Sequence, residues 1–294
     1  MGSEALFVIV LNWNGERVIG PCLQSLREVR GVDLEVIVVD NASKDASAEM
    51  VRSEFPEVEL IVNDRNLLFA EGNNVGIRRA MERGGRNFLL LNNDTVVDPA
   101  FASPMLDALR GDDSVGVVGP RILYHDDPER IWYGGGDFYP ILWIPRHRDI
   151  RKLSSSVAGS TAETAYVTGC AMLFGRELVD EIGLLDPSYV IYNEDVDFCL
   201  RARERGWKCI YEPSARIWHK VSSSSGGGFT PFKMEQRLAS TYRLQRRFKP
   251  LWWRLLLAPL HGAAFLLLLL GLLSTGRWGL LRGAWRGLGS ICRM

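Results

Sequence analysis

The chain has 294 residues, 47% hydrophobic and 24% charged, an ordinary globular composition that excludes extensive disorder. Its formal net charge is zero, but residues 236–294 hold 10 Lys or Arg and no acid, leaving 25 basic and 35 acidic side chains in the first 235. A basic tail on an acidic body points to an anionic partner, membrane or nucleic acid.

Residues 5–11, rich in Val and Ile, predict a buried strand, and with Glu4 just before them they do not read as a signal peptide. Helical spacing over 17–29, an apolar run at 34–39, a helix over 46–55, a strand at 58–62, a helix over 71–84 and a strand at 88–91 follow. Asp98-Pro99 reads as an N-cap and first helical position. Continuous apolar strands alternating with helices predict an α/β fold, a mostly parallel sheet covered on both faces. Beyond, 115–118 is a fifth strand, Gly134-Gly135-Gly136 a turn and 154–160 a polar loop. A strand over 165–174, a helix over 177–182 and an amphipathic helix over 195–205 follow. The Ser/Gly run 222–228 reads as a mobile loop over a site.

The tail differs. Residues 255–273 are 19 positions without a charge, flanked by Arg254 and Arg277, with Trp252, Trp253 and Trp278 outside. That length spans a bilayer narrowly, or lies in the interface as a helical pair, and the Arg and Trp flanks suit either. Nucleic acid is set aside because the positive charges surround an apolar block. The chain thus divides into an acidic α/β body, 1–235, and a membrane-associating helical tail, 236–294. Five cysteines without a CxxC disfavour a disulfide framework or a cysteine zinc site and fit a reducing compartment.

Ligands of such sheets bind beyond the strands' carboxyl ends. Here those ends carry Asn12 and Asn14, Asp40 and Asn41, and Asn92-Asn93-Asp94. A carboxylate such as Asp94 holds a hard cation that bridges diphosphate oxygens, or else makes an Asx-turn. Asp40 either meets a ligand or forms a turn with Asn41. In Asn193-Glu194-Asp195-Val196-Asp197, helix capping and dipole complementarity account for one or two acids. The excess points to a general base, whose pKa rises among like charges. Trp132 to Gly136 is either a sugar-stacking loop or a hairpin with core aromatics. Arg78-Arg79 reads as a solvated helix face.

Together these segments resemble the family 2 inverting glycosyltransferases of the GT-A fold, most closely the bacterial rhamnosyltransferase-like branch. The resemblance covers roughly residues 5 to 220 and rests on the order and spacing of several short motifs. Residues 8–15 (VIVLNWNG) look like the opening strand motif and 38–45 (VVDNASKD) like the second, which meets the nucleotide base. Residues 66–76 (NLLFAEGNNVG) resemble the glycine-rich segment near the nucleotide, 168–173 (TGCAML) the acceptor-side strand, and Trp218-His219 a late metal-completing histidine. The resemblance implies donor contacts from Asn12, Asn14, Asp40, Asn66, Asn73, Asn74, Asn92 and Asn93. It implies a divalent metal, Mn or Mg, on Asp94 and His219, and a catalytic pair Glu194 and Asp195 with Asp195 as the base. A nucleotide-sugar donor follows, dTDP-rhamnose or a UDP-sugar, with a lipid-linked or cell-envelope glycan as acceptor at the cytoplasmic face of the membrane. Three positions depart from the family pattern: Asn92 replaces the first Asp of the DxD motif, Leu68 stands where Gly is usual, and Asn193 where an aromatic is common.

A nucleotide-dependent dehydrogenase is excluded because no GxGxxG follows the first strand. A degenerate transferase fold, acting as a membrane scaffold or nucleotide-sugar sensor, would be expected to lose its site acids, and Asp94, Glu194 and Asp195 are present.

Overall fold

The computed structural model describes residues 5–157, 159–221 and 230–292; the Ser/Gly run 222–228, expected to be a mobile loop, lies outside them. The first half alternates as the apolar pattern predicts: β1 (Leu6–Asn12), α1 (Ile19–Arg27), β2 (Leu34–Asp40), α2 (Ser47–Glu54), β3 (Glu59–Val62), α3 (Leu68–Glu82) and β4 (Asn87–Asn92). These strands pair in parallel in the order β3-β2-β1-β4. Val8, Ile9, Ile37, Val38, Leu89 and Leu90 are fully buried, as expected for strands covered on both faces. Gly76 lets α3 lie close on the sheet, since a Cβ there would come within 2.5 Å of Ile9 Cγ2.

The second half is β5 (Thr95–Val97), α4 (Ala102–Arg110), β6 (Val115–Tyr124), β7 (Ile131–Tyr133), β8 (Gly136–Phe138), β9 (Pro145–His147), β10 (Ala162–Thr164), β11 (Ala171–Gly175), α5 (Arg176–Ile182), α6 (Glu194–Glu204) and β12 (Lys208–His219). Strand β11 enters antiparallel between β4 and β6, β12 runs parallel to β6, and β5 pairs antiparallel with the end of β12. Strands β8 and β9 form a separate hairpin.

Four local expectations need correction. Helix α4 begins at Ala102, not after Asp98-Pro99; Asp98 Oδ1 accepts the Ala100 N–H at 2.9 Å in a turn. The predicted strand over 165–174 is extended-sheet backbone only from Ala171, because 165–170 turn away to the site. Strand β6 continues to Tyr124, well past the predicted 118. Helix α3 starts at Leu68, three residues before the predicted 71.

Three helices follow: α7 (Pro231–Phe248), α8 (Leu251–Ser274) and α9 (Trp278–Cys292). Thr230 Oγ1 accepts the Lys233 N–H at 3.2 Å and Pro231 opens α7, a capped start. The change of charge at 235/236 therefore falls inside α7. That helix is tied to the body through Arg247, whose guanidinium lies 2.9 Å from Asp197 Oδ1 and 3.0 Å from Asp186 Oδ2. Helix α9 packs back on α7, and Met234, Leu269, Leu272 and Ala284 make a small second core. The uncharged block 255–273 lies within α8. Leu255, Leu256 and Leu267 are 65%, 68% and 70% exposed, and among the described residues this is the one helix long and apolar enough to cross a membrane.

Candidate active site

The carboxyl ends of β1, β2 and β4 meet in one polar network. Asn12, fully buried, donates from Nδ2 to Asp40 Oδ1 and Ser47 Oγ, both at 2.8 Å, and accepts from Asn93 Nδ2 at 2.8 Å. Asp40 also accepts the Ser43 N–H at 2.9 Å and the Ser43 hydroxyl at 2.6 Å, so turn formation accounts for two of its bonds and the β1 end for the third. Asn14, with φ 50°, accepts the Lys44 N–H at 2.8 Å. Asn66 accepts the Leu68 N–H at 2.8 Å, and Leu68 itself takes φ 64°, the left-handed conformation that a usual glycine would adopt more cheaply. Asn73 and Asn74 do not join the cluster. Asn73 Nδ2 donates to the Phe69 carbonyl at 2.9 Å, and the Asn74 amide exchanges hydrogen bonds with the Leu185 backbone. Asn92 is half-buried; its N–H donates to the Cys170 carbonyl at 2.9 Å and its own carbonyl accepts from Thr95 Oγ1.

Asp94 and His219 meet because β5 returns against β12, with Thr95 opposite His219 in register. His219 Nε2 lies 3.1 Å from Asp94 Oδ1, with the two residues 7% and 2% exposed. Burial opposes the charged ring, but Cys170 and the Asp94 carboxylate outweigh it and push His219 up to about 10. Burial also pushes the Cys170 thiol up. His219 Nδ1 is buried without a hydrogen-bond partner. A cation between them would take His219 Nε2 and an Asp94 oxygen in place of the proton they share, a donor pair that fits a divalent ion such as Mn²⁺. Among the described residues no three His, Cys, Asp or Glu are grouped so as to hold a metal ion, so a bound cation would need substrate oxygens and water to complete its shell.

The acidic pair stands at the start of α6. Two consecutive left-handed residues, Tyr192 at φ 73° and Asn193 at φ 68°, turn the chain into the helix. Asn193 Nδ2 donates to Ser240 Oγ and Thr241 Oγ1 on α7, at 3.1 and 3.3 Å. Asp195 is half-buried and accepts the Gly169 N–H at 2.7 Å on Oδ2 and the Val196 N–H at 2.8 Å on Oδ1. Burial pushes its carboxyl up, against the pull of those amides. Glu194 is 6% exposed, its Oε2 has no partner, and burial followed by the Asp195 charge pushes it up to about 8. Asp197, the third acid, is an anchor: it accepts from Arg201, Arg247 and Tyr189 at 2.8, 2.9 and 3.2 Å.

The segment 168–170 joins the two halves. Gly169 holds Asp195 while Cys170, next in the chain, interacts with His219, Asp94 and Asp195. A Cβ on Gly169 would stand 2.9 Å from Phe69 Cζ, so a larger residue would have to displace that ring, while its 3.4 Å from Asp195 Cβ is ordinary contact. The Trp132 ring stands edge-on to His219 with centroids 4.5 Å apart, whereas Tyr133 is buried and donates to the Tyr166 carbonyl. Arg78 and Arg79 pair with Glu71 and Glu59 on the helix surface. Sequence reading missed the Gly169 clamp and the Cys170 bridge; the one signal was a Thr-Gly pair before a buried strand.

The arrangement can hold a proton acceptor beside a cation-binding pair at the strand ends. A family profile described as "Glycosyltransferase like family 2" matches residues 4–240. The N-acetylglucosaminyl-diphospho-decaprenol L-rhamnosyltransferase of Mycobacterium tuberculosis is 25% identical over 284 residues, 88% of this chain and 89% of that protein. A dTDP-rhamnosyl transferase of Shigella flexneri is 20% identical, covering 76% of this chain and 71% of its own. Among solved structures, the mannosyltransferase PcManGT of Pyrobaculum calidifontis, in complex with GDP-Man and Mn²⁺, aligns over 99% of this chain and 76% of its own, with a TM-score of 0.60 and 20% identity. GalNAc-T7 with UDP, GalNAc and Mn²⁺ aligns over 83% of this chain at a TM-score of 0.64 and 15% identity, and the match spans 48% of its length. The likeness to both structures is one of fold, the GT-A type.

Proposed function

The chain belongs to the family 2 glycosyltransferases, and from that premise we propose that it transfers a sugar with inversion from a nucleoside diphosphate donor to a lipid-linked envelope glycan. The acceptor hydroxyl attacks the anomeric carbon, its proton passes to Asp195, and the bond from that carbon to the diphosphate oxygen breaks. One displacement inverts the centre and needs no enzyme nucleophile. The observation that carries this reading is the Asp195 carboxylate, fixed by two backbone amides yet half-exposed, and linked to the Asp94–His219 pair through Cys170, the neighbour of its Gly169 clamp. Its raised pKa suits a proton acceptor better than an ordinary carboxylate would. Asp94 and His219 would hold a divalent cation, which when bound offsets charge on the leaving diphosphate. Asn12, Asn14, Asp40, Asn66, Asn92 and Asn93 form or border the donor pocket; the internal bonds of Asn12, Asp40 and Asn93 preorganise it, and Asn73 and Asn74 support α3 behind it.

The relatives named for rhamnosyl transfer support dTDP-rhamnose as the first donor to test, with UDP-sugars next. The mycobacterial relative's name specifies a polyprenyl-diphosphate acceptor, in keeping with a tail that binds the cytoplasmic membrane surface. The test is a donor screen with the full-length protein, Mn²⁺ or Mg²⁺ and extracted lipid acceptors, read by mass spectrometry and by the anomeric configuration of the product. Expected is turnover of one donor class with inversion. A product of retained configuration would overturn the single-displacement mechanism.

A further inference from the structure

We propose that the tip of the β8–β9 hairpin, residues 139–143, is a second membrane-contact element, inserting into the same anionic leaflet as α8. The inference rests on the membrane reading of the tail and extends it to the transferase body.

The tip presents apolar side chains to the outside, with Tyr139 and Ile141 51% and 60% exposed. Scattered exposed apolar residues mean little. This tip, however, is pinned to the end of α7 and the first half of α8. Gln245 Nε2 donates to the Leu142 carbonyl at 2.8 Å, and His261 Nε2, on α8, lies 3.4 Å from the same oxygen. The Lys249 ammonium sits over the Trp143 ring at 4.1 Å and the Trp253 ring at 5.6 Å, and Phe138 stacks on Trp143 at 4.4 Å. The tip is thereby held at the α7–α8 junction, where Leu251, Trp252, Leu255 and Leu256 are also exposed. Hairpin and helix make one apolar, aromatic surface, with Arg146 over the Tyr139 ring at 5.2 Å and Lys249 between Trp143 and Trp253.

Two observations select a lipid leaflet over a protein as the occupant. The surface continues a helix apolar enough to cross a bilayer. The surrounding cations complement anionic headgroups, the tail holding 10 basic residues and no acid after Glu235. The base of the hairpin also reaches the site: the His147 ring on β9 and the His219 ring each lie 4.5 Å from that of Trp132, edge to face. A membrane-borne acceptor held at the tip would therefore arrive beside the Asp94–His219 pair.

Cysteine labelling tests this. Cys22, Cys170, Cys199 and Cys209 are buried and Cys292 is exposed, so a Cys292→Ser background gives a chain that labels only at an introduced thiol. An environment-sensitive fluorophore is attached to full-length Ile141→Cys, to Leu267→Cys on α8, and to Asp113→Cys in the exposed turn between α4 and β6. Each is mixed with phosphatidylglycerol–phosphatidylethanolamine vesicles. Expected is a blue shift with a severalfold rise in intensity at positions 141 and 267 and none at 113. A response at 267 without one at 141 overturns the hairpin inference and leaves the tail reading standing. Silence at both positions overturns the two together. In the unlabelled protein, Ile141→Asp should weaken vesicle binding severalfold; unchanged binding counts against insertion of the tip.

Discussion

Asp195 is the residue on which the chemistry turns. Replacing it with Asn keeps the shape and at least one backbone contact but removes the group that takes the proton. Loss of a general base typically lowers rate by about 10² to 10⁴. Asp195→Asn should therefore lower steady-state transfer within that range while donor affinity, measured by calorimetry, stays near wild type; transfer within a few-fold of wild type would remove Asp195 from the role. Asp94 should behave differently. Asp94→Ala takes away the only carboxylate of the Asn92-Asn93-Asp94 triplet and the partner of His219. Donor binding and transfer should fall together and lose their dependence on Mn²⁺; an unchanged metal dependence would place the cation elsewhere. At this scale the sequence disclosed residue types but not their directions. Asp94 and His219 come together as the motif order implies. Asn73 and Asn74 share a motif with Asn66 but face inward on α3, and the partner of Asn74 lies 111 residues further on. No local pattern encodes a pairing that distant. Leu68 is the reverse case: a bulky residue in a glycine position kept the glycine's positive φ, because the Asn66 and Asn41 side chains hold that turn.

At the scale of elements, the start of α6 gathers three acids to three ends: Asp195 to the site, Asp197 to Arg201 and Arg247, and Glu194 into the interior. Glu194 is the costly one. Its carboxyl rises from an unfolded value of about 4.3 to about 8 through burial and the neighbouring Asp195 charge. A raised carboxyl contributes its full stability only below the unfolded pKa, and that contribution drains away as pH climbs through the folded value. Glu194→Gln mimics the protonated form and has nothing to lose. The melting temperature of wild type should thus fall relative to Glu194→Gln between pH 5 and pH 8 and run parallel above, as read by thermal unfolding at fixed ionic strength. A constant offset across that range would show that Glu194 ionises normally. The regular strands and helices of the first half were legible because continuous apolar runs and 3.6-residue spacing survive in any context. The misread elements, Asp98-Pro99 and 165–170, lie where the chain serves tertiary contacts: the Asp98 N–H donates to the Arg216 carbonyl and Gly169 clamps Asp195.

For the whole molecule, the question is what a basic, apolar tail does for an acidic transferase body. Both features were plain in composition; the way they connect was not, since the charge boundary falls within α7 and that helix is bolted to α6 through Asn193 and Asp197. The first helix of the tail is therefore fixed to the helix that carries Asp195 rather than hung from a linker, and membrane binding would set the orientation of Asp195 as well as its location. Basic residues near an anionic leaflet contribute about 1 kcal/mol each, and the exposed leucines of α8 add insertion that salt does not reverse. Full-length protein should then sediment with membranes, resist a high-salt wash and come off in detergent. A chain ending at Lys249 keeps α7 and its ion pairs and should be released to the soluble fraction. It should retain hydrolysis of the nucleotide sugar and lose transfer to an acceptor embedded in vesicles, while transfer to a water-soluble acceptor analogue survives. Full-length protein that is soluble at low salt would defeat the membrane reading and leave the leucine face of α8 as an interface between copies of the chain. A shortened chain as active as the full one on the embedded acceptor would show that the tail anchors without orienting.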